Sequence, residues 1–588
     1  MGCATVRCAA VQHLADPITG HRTEPAIVPD ERRAPDYRSD GPRDWYGYRV
    51  GAVLITLSIL AASLTACTDA GPRASGPDPR PGSAAAPASR AAAAPLAART
   101  RQPAPATQVL TGAVTGVTTA DVARQLFISA PVVVVADPDR PAALAAAASQ
   151  AVRAHAPLLL IAAGRGSPSP AAPSSAARSP GTRPPGQART AAVTVSSAQR
   201  TEIENLHPRA VLAVGLAASA LSAQLPGIHV ITGPGGLPAT TAPPQLSHVA
   251  VLVAAGDSAA TMAVTTTAEV AGAAVVPVRG NDPRADPVAI AAISALRPQH
   301  VLAVGAGFGP AAQLASRVAV AMTGVQLPGG GQVVFPGRRL VALYGHPGAP
   351  ALGALGQQDL PASLARARHL AASYRALSRV PVVPAFEIIA TVAQASSGAD
   401  GSYSAVSSVA DLLPWVEKAT AAGFYVILDL QPGRADLLSQ AKLYEPLLRL
   451  PDVGLALDAE WKLQPGQLPL HQIGSVGAGE INRVASWLAG LTAAYHLPQK
   501  LLVLHQFRLS MIQGEQALDT RYDDLAIIVH MDGQGTPGMK QETWNAVTAA
   551  APPGLFFGWK NFYTKDEPML SPAATMTKTP APLMISYQ

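Results

Sequence analysis

From Leu340 onward, short apolar runs recur about every thirty residues, and this recurrence limits what the chain can fold into more than any other feature. The runs are Leu340–Tyr344, Val380–Phe386, Tyr425–Leu430, Val453–Leu457, Leu501–His505, Leu525–His530, Leu555–Gly558 and Pro582–Tyr587. Stretches of helical period separate them, among them Ala362–Leu377, Val409–Ala422, Ala435–Leu450, Glu480–Tyr495 and Lys540–Ala550. Strands that are apolar on both faces and alternate with helices describe a parallel sheet covered by helices. Eight such units over residues 331–588 predict a closed (β/α)8 TIM-like barrel. The link from Arg508 to Asp524 is the least helical part of that pattern.

Upstream lies an internal repeat. The segment Leu206–Gly215 recurs as Leu296–Gly305, with seven of ten positions identical at a distance of 90 residues. Each copy reads as a helix end, a Pro-containing turn and a buried strand closed by glycine. Each also has an earlier strand–helix–strand partner. In the first copy this is Val132–Val135, a helix Pro141–His155 and Leu158–Ile161; in the second, Val249–Val253, a helix Ala259–Ala271 and Ala274–Val278. A Ser/Pro/Arg-rich insertion, 166–189, accounts for the longer first copy and reads as a loop without fixed structure. The expected fold class is therefore α/β, with two parallel-sheet repeats (109–235 and 236–330) ahead of the barrel.

This repeated unit resembles the cell-wall-binding repeat type 2 family over Thr111–Val325. The resemblance implies non-covalent attachment to an anionic cell-wall polymer or peptidoglycan. The family's Phe-Ala-Asp-Ala stretch is not kept; the chain has Arg140–Leu144 and Asp257–Thr261 there, and two copies rather than three.

The first 66 residues read as an upstream extension and an export signal. Arg43 and Arg49 precede the apolar run of Gly51–Cys67, which is too short for a bilayer-spanning helix of about 20 residues. Leu64-Thr65-Ala66-Cys67 resembles the lipobox of bacterial lipoproteins. That resemblance implies lipidation of Cys67 and anchoring at the outer face of the cell membrane. Cys3 and Cys8 precede the cleavage point, so the mature chain keeps one cysteine and no disulfide framework. Residues 67–108 are Pro/Ala-rich and read as a disordered tether. Residues 67–330 carry 18 Lys and Arg against 11 Asp and Glu, whereas 331–588 carry 19 against 20. A basic first half suits an anionic wall polymer. No basic, aromatic-interleaved motif points to nucleic acid. Gly305-Ala-Gly307 does not extend to a dinucleotide fingerprint, and no cofactor is expected.

Catalytic groups of such barrels project from the C-terminal ends of the strands. Those ends carry His346, Glu387, Asp429, Asp458, Glu460, His505, His530, Asp532, Trp559, Lys560 and Tyr587. Polar residues there are costly to bury unless they are paired or functional. The sharpest motif is Leu457-Asp458-Ala459-Glu460-Trp461. Strand alternation predicts Asp458 and Glu460 on one face, where two carboxyls drive one pKa up and create a proton donor. The motif resembles the catalytic strand of chitinase-type and muramidase-type barrel glycosidases. The resemblance implies Glu460 as acid and Asp458 as its partner; Asp429 and Asp532, at other strand ends, are the candidates for a second carboxylate. The acids that precede this Asp in the longer chitinase pattern are absent, their places taken by Val453 and Ala456. Trp461, Trp559, Tyr344 and Phe386 are candidate sugar-stacking surfaces, and Glu387, His505 and Tyr587 candidate substrate contacts. His346, His505, His530 and Asp532 show no metal-ligand spacing. Three functions remain open: a hydrolase of a wall or capsule polysaccharide, a catalytically inactive wall-binding scaffold, or a metal hydrolase if His346, His505, His530 and Asp532 converge.

Overall fold

The computed structural model describes residues 94–112, 116–163 and 193–588. The signal, Cys67, most of the tether and the 166–189 insertion lie outside the described residues.

Each repeat forms a four-stranded parallel sheet. The first has the order Leu158–Leu160, Val132–Ala136, Ala210–Val214, Val230–Ile231. The second has the order Ala274–Val278, Val249–Ala254, His300–Val304, Thr107–Leu110. Three strands of each sheet follow the same pattern. The fourth place differs, because Thr107–Leu110 comes from ahead of the first sheet. The tether boundary drawn at 108 thus falls inside a strand, and pairing begins earlier still, with Leu96–Ala97 beside Thr240–Thr241. Thr-Gln-Val-Leu is too short and too polar to announce itself as a strand, and its partner His300–Val304 supplies what the local sequence lacks.

The repeated decapeptide behaves alike in both copies. Helices Ser197–Asn205 and Pro287–Leu296 stop just before Pro208 and Pro298, with His207 and Arg297 both left-handed (φ 48° and 46°). The strands that follow end at Gly215 and Gly305, both at positive φ. At Gly215 a Cβ would lie 2.6 Å from that of Ala143, so the helix approach there requires glycine. Val133, Val135, Val249, Val251 and Val253 share one buried core, which ties the two sheets together.

The second half is a closed barrel of eight parallel strands: β1 (Arg339–Gly345), β2 (Val382–Ala393), β3 (Tyr425–Leu430), β4 (Val453–Asp458), β5 (Lys500–His505), β6 (Leu525–Met531), β7 (Phe556–Asn561) and β8 (Met584–Tyr587). Every neighbour pair is parallel, and β8 returns to β1 to close the circle. Inside, Leu340, Ala342, Val383, Ala385, Tyr425, Ile427, Leu501, Val503, Ala526 and Ile528 fill the lower barrel. Outward-facing Val426, Leu428, Leu455, Leu457, Leu502 and Leu504 pack with the buried faces of helices such as Ala478–Ala494.

Two connections depart from the sequence reading. The helix expected over Ala435–Leu450 is split into Leu437–Leu443 and Glu445–Leu448, with Pro446 opening the second piece, where its missing N–H is tolerated. The Arg508–Asp524 link holds only 3-10 turns and a short strand, Ile512–Gln513, paired with Val476–Gly477.

The second sheet meets the barrel at the N-terminal ends of its strands. Phe335, Val334 and Leu327 join the lower barrel core, and the Phe335 ring lies 5.3 Å from that of Phe556 at the start of β7. Arg284 and Arg317, from the second sheet's helical layer, both reach Asp523 just ahead of β6, at 2.9 and 2.5 Å. Among the described residues no helix is long and apolar enough to cross a membrane.

Candidate active site

Strand alternation decides which side chains enter the barrel. Leu340 and Ala342 point inward, so Tyr344 does as well; Val383 and Ala385 bring in Glu387, and Tyr425 and Ile427 bring in Asp429. In the same way Ala456 is followed by Asp458, Val503 by His505 and Ile528 by His530, and Asp532 follows just past the end of β6. Register sets Tyr344 beside Glu387, Asp458 beside His505, and His505 beside His530. The result is a belt of ionisable groups at the C-terminal mouth, above an apolar plug.

A cleft of about 500 Å³ opens above this belt, lined among others by Tyr344, Asp458, Glu460, Trp461, Asp532 and Lys560. That volume is in the usual range for a small-ligand site. Glu460 reaches the cleft by a route other than strand alternation. β4 stops at Asp458, and a 3-10 turn, Ala459–Trp461, carries Glu460 onward. Asp458 caps this turn, its carboxyl accepting from the Glu460 N–H at 3.3 Å.

His505 is the hub. Its Nε2 lies 2.9 Å from Glu387 Oε1, and its Nδ1 lies 3.1 Å from Asp532 Oδ2. With both ring nitrogens facing carboxyl oxygens, the ring donates to both when it is an imidazolium between two ionised carboxylates. Burial opposes that charge, but Glu387 and Asp532 outweigh it and hold the His505 pKa well above its usual value. Burial likewise works to raise the Asp532 carboxyl; the bond and charge of His505 outweigh it and leave Asp532 below the ordinary range. Glu460 has no such partner: burial, then the neighbouring charge of Asp532, pushes it up to about 7. Burial and Asp429 hold Asp458 well above its usual value, and burial pushes Asp429 itself up to about 6. Tyr344 donates to Asp429 at 2.9 Å and accepts from the Gln431 amide at 3.2 Å. Burial, followed by His505 and Lys560, keeps His530 well below its usual pKa, as a neutral ring whose Nε2 faces Ser586 Oγ at 3.2 Å. Four buried atoms in this belt make no hydrogen bond: Glu387 Oε2, Asp429 Oδ1, Asp532 Oδ1 and His530 Nδ1. Unmet polar groups in a native interior call for a ligand or solvent to satisfy them.

Of the residues singled out from sequence, Glu460, Asp458, Asp532, Trp461 and Tyr344 line the cleft. Glu387, Asp429 and His505 are fully buried and joined to it through the hydrogen bonds above. Phe386, Trp559 and Tyr587 are not in the site. Each neighbours an inward-facing residue on its strand and therefore points out. Phe386 packs on Trp415 and Phe424. Trp559 packs on Trp544 and donates to Asn561 at 2.9 Å. Tyr587 is 2.6 Å from the Tyr374 hydroxyl under the helix Leu360–Tyr374. His346 turns to the Ile389 carbonyl at 2.8 Å. Among the described residues no set of three or more His, Cys, Asp and Glu side chains is arranged to hold a metal ion.

Lys560, Gln431, Phe507, Phe562 and Gln588 also line the cleft, and none has an assigned contact or catalytic role in the sequence reading. Lys560 had a signal, as a cation at the end of a barrel strand. The others sit on loops, where no period marks direction.

No protein-family model matches the chain, and no curated protein matches it at a significant level.

Proposed function

We propose that the barrel is a glycoside hydrolase acting on a wall or capsule polysaccharide, carried by an exported lipoprotein. In this reading Cys67 holds the chain at the outer face of the cell membrane, and the two sheets associate with an anionic wall polymer or peptidoglycan. The observation that carries the enzymatic reading is the divergence of two carboxyls lining one cleft. Glu460 is pushed up to about 7 and Asp532 is held low. Environments that push two pKa values apart assign a proton donor and an ionised partner. Glu460 would protonate the glycosidic oxygen. Asp532, fixed through Oδ2 by His505 and with Oδ1 unpartnered, would act on the anomeric side, as nucleophile or as base toward water. Asp429 suits that role less well, because its Oδ2 is already bonded to Tyr344. Asp458 orients the turn that carries Glu460. Trp461 offers an apolar face for a sugar ring.

The test is release of reducing ends from purified wall and capsule polysaccharide by the full chain, beside Glu460→Gln and Asp532→Asn. Turnover that disappears in both variants supports the reading. Retention on the polymer with no released fragment, in the unmodified chain, assigns the barrel to binding instead.

A further inference from the structure

The described residues include four buried lysines, at 462, 500, 540 and 560. Three have partners that account for their burial. Lys462 reaches the Ala435 carbonyl and Glu480, Lys500 the carbonyls of Leu450 and Pro451, and Lys540 the Lys560 carbonyl and Asp566. Lys560 is only 3% exposed, yet its ammonium makes no hydrogen bond and no ion pair with any described residue. It sits over the Tyr344 ring, 3.4 Å from the centroid, with the Phe562 ring at 5.4 Å. It also lines the cleft that holds Glu460 and Asp532. The charge of Lys560 acts across the belt on Asp429, Glu460 and Asp532 without a direct contact to any of them, and Asp532 and Asp429 spend one oxygen each on His505 and the Tyr344 hydroxyl. Aromatic faces hold the ammonium in place and leave its N–H groups free to bond a group that enters the cleft.

We propose that Lys560 is the anion-recognising element of the cleft, and that the glycan it takes carries a carboxylate on its sugar units. This rests on the reading of the cleft as a glycan site. The carboxylate meets the ammonium, while Trp461 and Phe562, both lining the same cleft, take the apolar face of the ring. Lys565 at the exposed rim adds a second positive charge along the approach.

Equilibrium binding to the full chain separates this from the hydrolase assignment, because it needs no turnover. The probes are a β-1,4-linked N-acetylglucosamine tetrasaccharide and the same tetrasaccharide with lactyl-ether carboxylates on alternate residues. A glucuronate-containing tetrasaccharide and its carboxyl-reduced form make a second pair. The expected result is a preference of about tenfold to a hundredfold for the acidic member of at least one pair, the range of a charge-assisted hydrogen bond. That preference should vanish in Lys560→Gln and persist in part in Lys560→Arg. Equal binding of both members of each pair by the unmodified chain overturns the role of Lys560 without needing any variant to fold. A preference that survives in a folded Lys560→Gln overturns it as well. Binding of no sugar at all overturns this inference together with the glycan reading of the cleft.

Discussion

Replacing His505 with Gln removes one charge and little volume, and its consequence follows from the two contacts the ring makes. Asp532, at 3.1 Å, and Glu387, at 2.9 Å, lose the cation that allows a carboxylate to sit in a buried belt. A carboxyl that cannot stay ionised there takes up a proton on folding. For Asp532, whose ordinary value is 3.8, that costs about 1.4 kcal/mol for each pH unit above 3.8. In the unmodified protein His505, ordinarily at 6.5, is held well above it, so its stabilisation is complete below pH 6.5 and declines as pH rises through the raised value. Asp532 is held below 3.8, so its contribution is present above that pH and is lost only as pH falls through the lowered value. Between pH 3.8 and 6.5 the His505–Asp532 pair therefore adds no pH dependence in the unmodified protein, while the variant loses stability as Asp532 takes up its proton; Asp429 and Glu460, pushed up by burial to about 6 and about 7, add their own pH dependence in both proteins. The deficit should already be present at pH 4, where the His505 stabilisation is complete, and grow by about 4 kcal/mol up to pH 6.5, then stay level, since both proteins carry one extra proton in the folded state above that point. That magnitude agrees with about 3–5 kcal/mol for breaking a buried pair. Urea unfolding at several pH values, followed by tryptophan fluorescence, measures it; all tryptophans but Trp45 belong to the barrel. Shifts from groups elsewhere, such as Glu202 (pushed up to about 7 by burial), cancel in the difference. A deficit that is constant from pH 4 to 6.5, or absent, would refute the imidazolium clamp.

Other expectations concern turnover and stability. Glu460→Gln should lower polysaccharide cleavage by about 10²–10⁴-fold, the usual weight of a general acid, and abolish an alkaline limb expected near pH 7 in the unmodified chain. Trp461→Ala should raise KM with little change in melting temperature, whereas Trp559→Ala should cost about 3–5 kcal/mol of stability by opening a cavity under Trp544; equal effects on KM would place Trp559 in the site after all. Asp523→Ala should loosen the second sheet from the barrel and cost about 1–3 kcal/mol, because the buried Arg284 keeps only Asp282 as a carboxylate partner, with the residue 523 carbonyl at 3.2 Å. Limited proteolysis should then cut between residues 323 and 338 faster than in the unmodified chain.

The barrel was readable because both faces of every strand are buried, so each strand stands out as an apolar run whatever its direction. Tyr425–Leu430 was placed to the residue. The site was readable only in part, because being at a strand end does not settle which way a side chain points. Phe386 and Glu387 are adjacent on β2 and cannot share a face, and the same holds for Trp559 and Lys560 on β7. Choosing aromatics for their affinity to sugars brings in Phe386 beside Glu387 on β2 and Trp559 on β7, both of which point away from the cleft; the inward parity of Val383 and Ala385 selects Glu387 alone. Glu460 lines the cleft, but not through strand alternation, since β4 ends before it and a capped 3-10 turn does the positioning. The clamp at His505 was beyond local reading. It joins β2, β5 and the end of β6, and only closure of the barrel brings residues 387, 505 and 532 together.

The same closure fixes how the two halves of the chain relate. Parallel strands give the barrel one mouth of N-terminal ends and one of C-terminal ends, and each is occupied by a different part of the sequence. Phe335, Val334 and Leu327 fill the first, and Arg284 and Arg317 fasten the second sheet beside it through Asp523. The second mouth is left to Glu460, Asp532 and Lys560 and the cleft above them. A sheet held at the lower mouth cannot cover the cleft, so a polymer bound by the sheets and a glycan entering the cleft would approach from opposite ends of the barrel. Attachment and turnover are then separable by substitution: changes at Asp523 should alter how firmly the halves are joined, and changes at Glu460 or Lys560 should alter what the cleft does, with neither set disturbing the other.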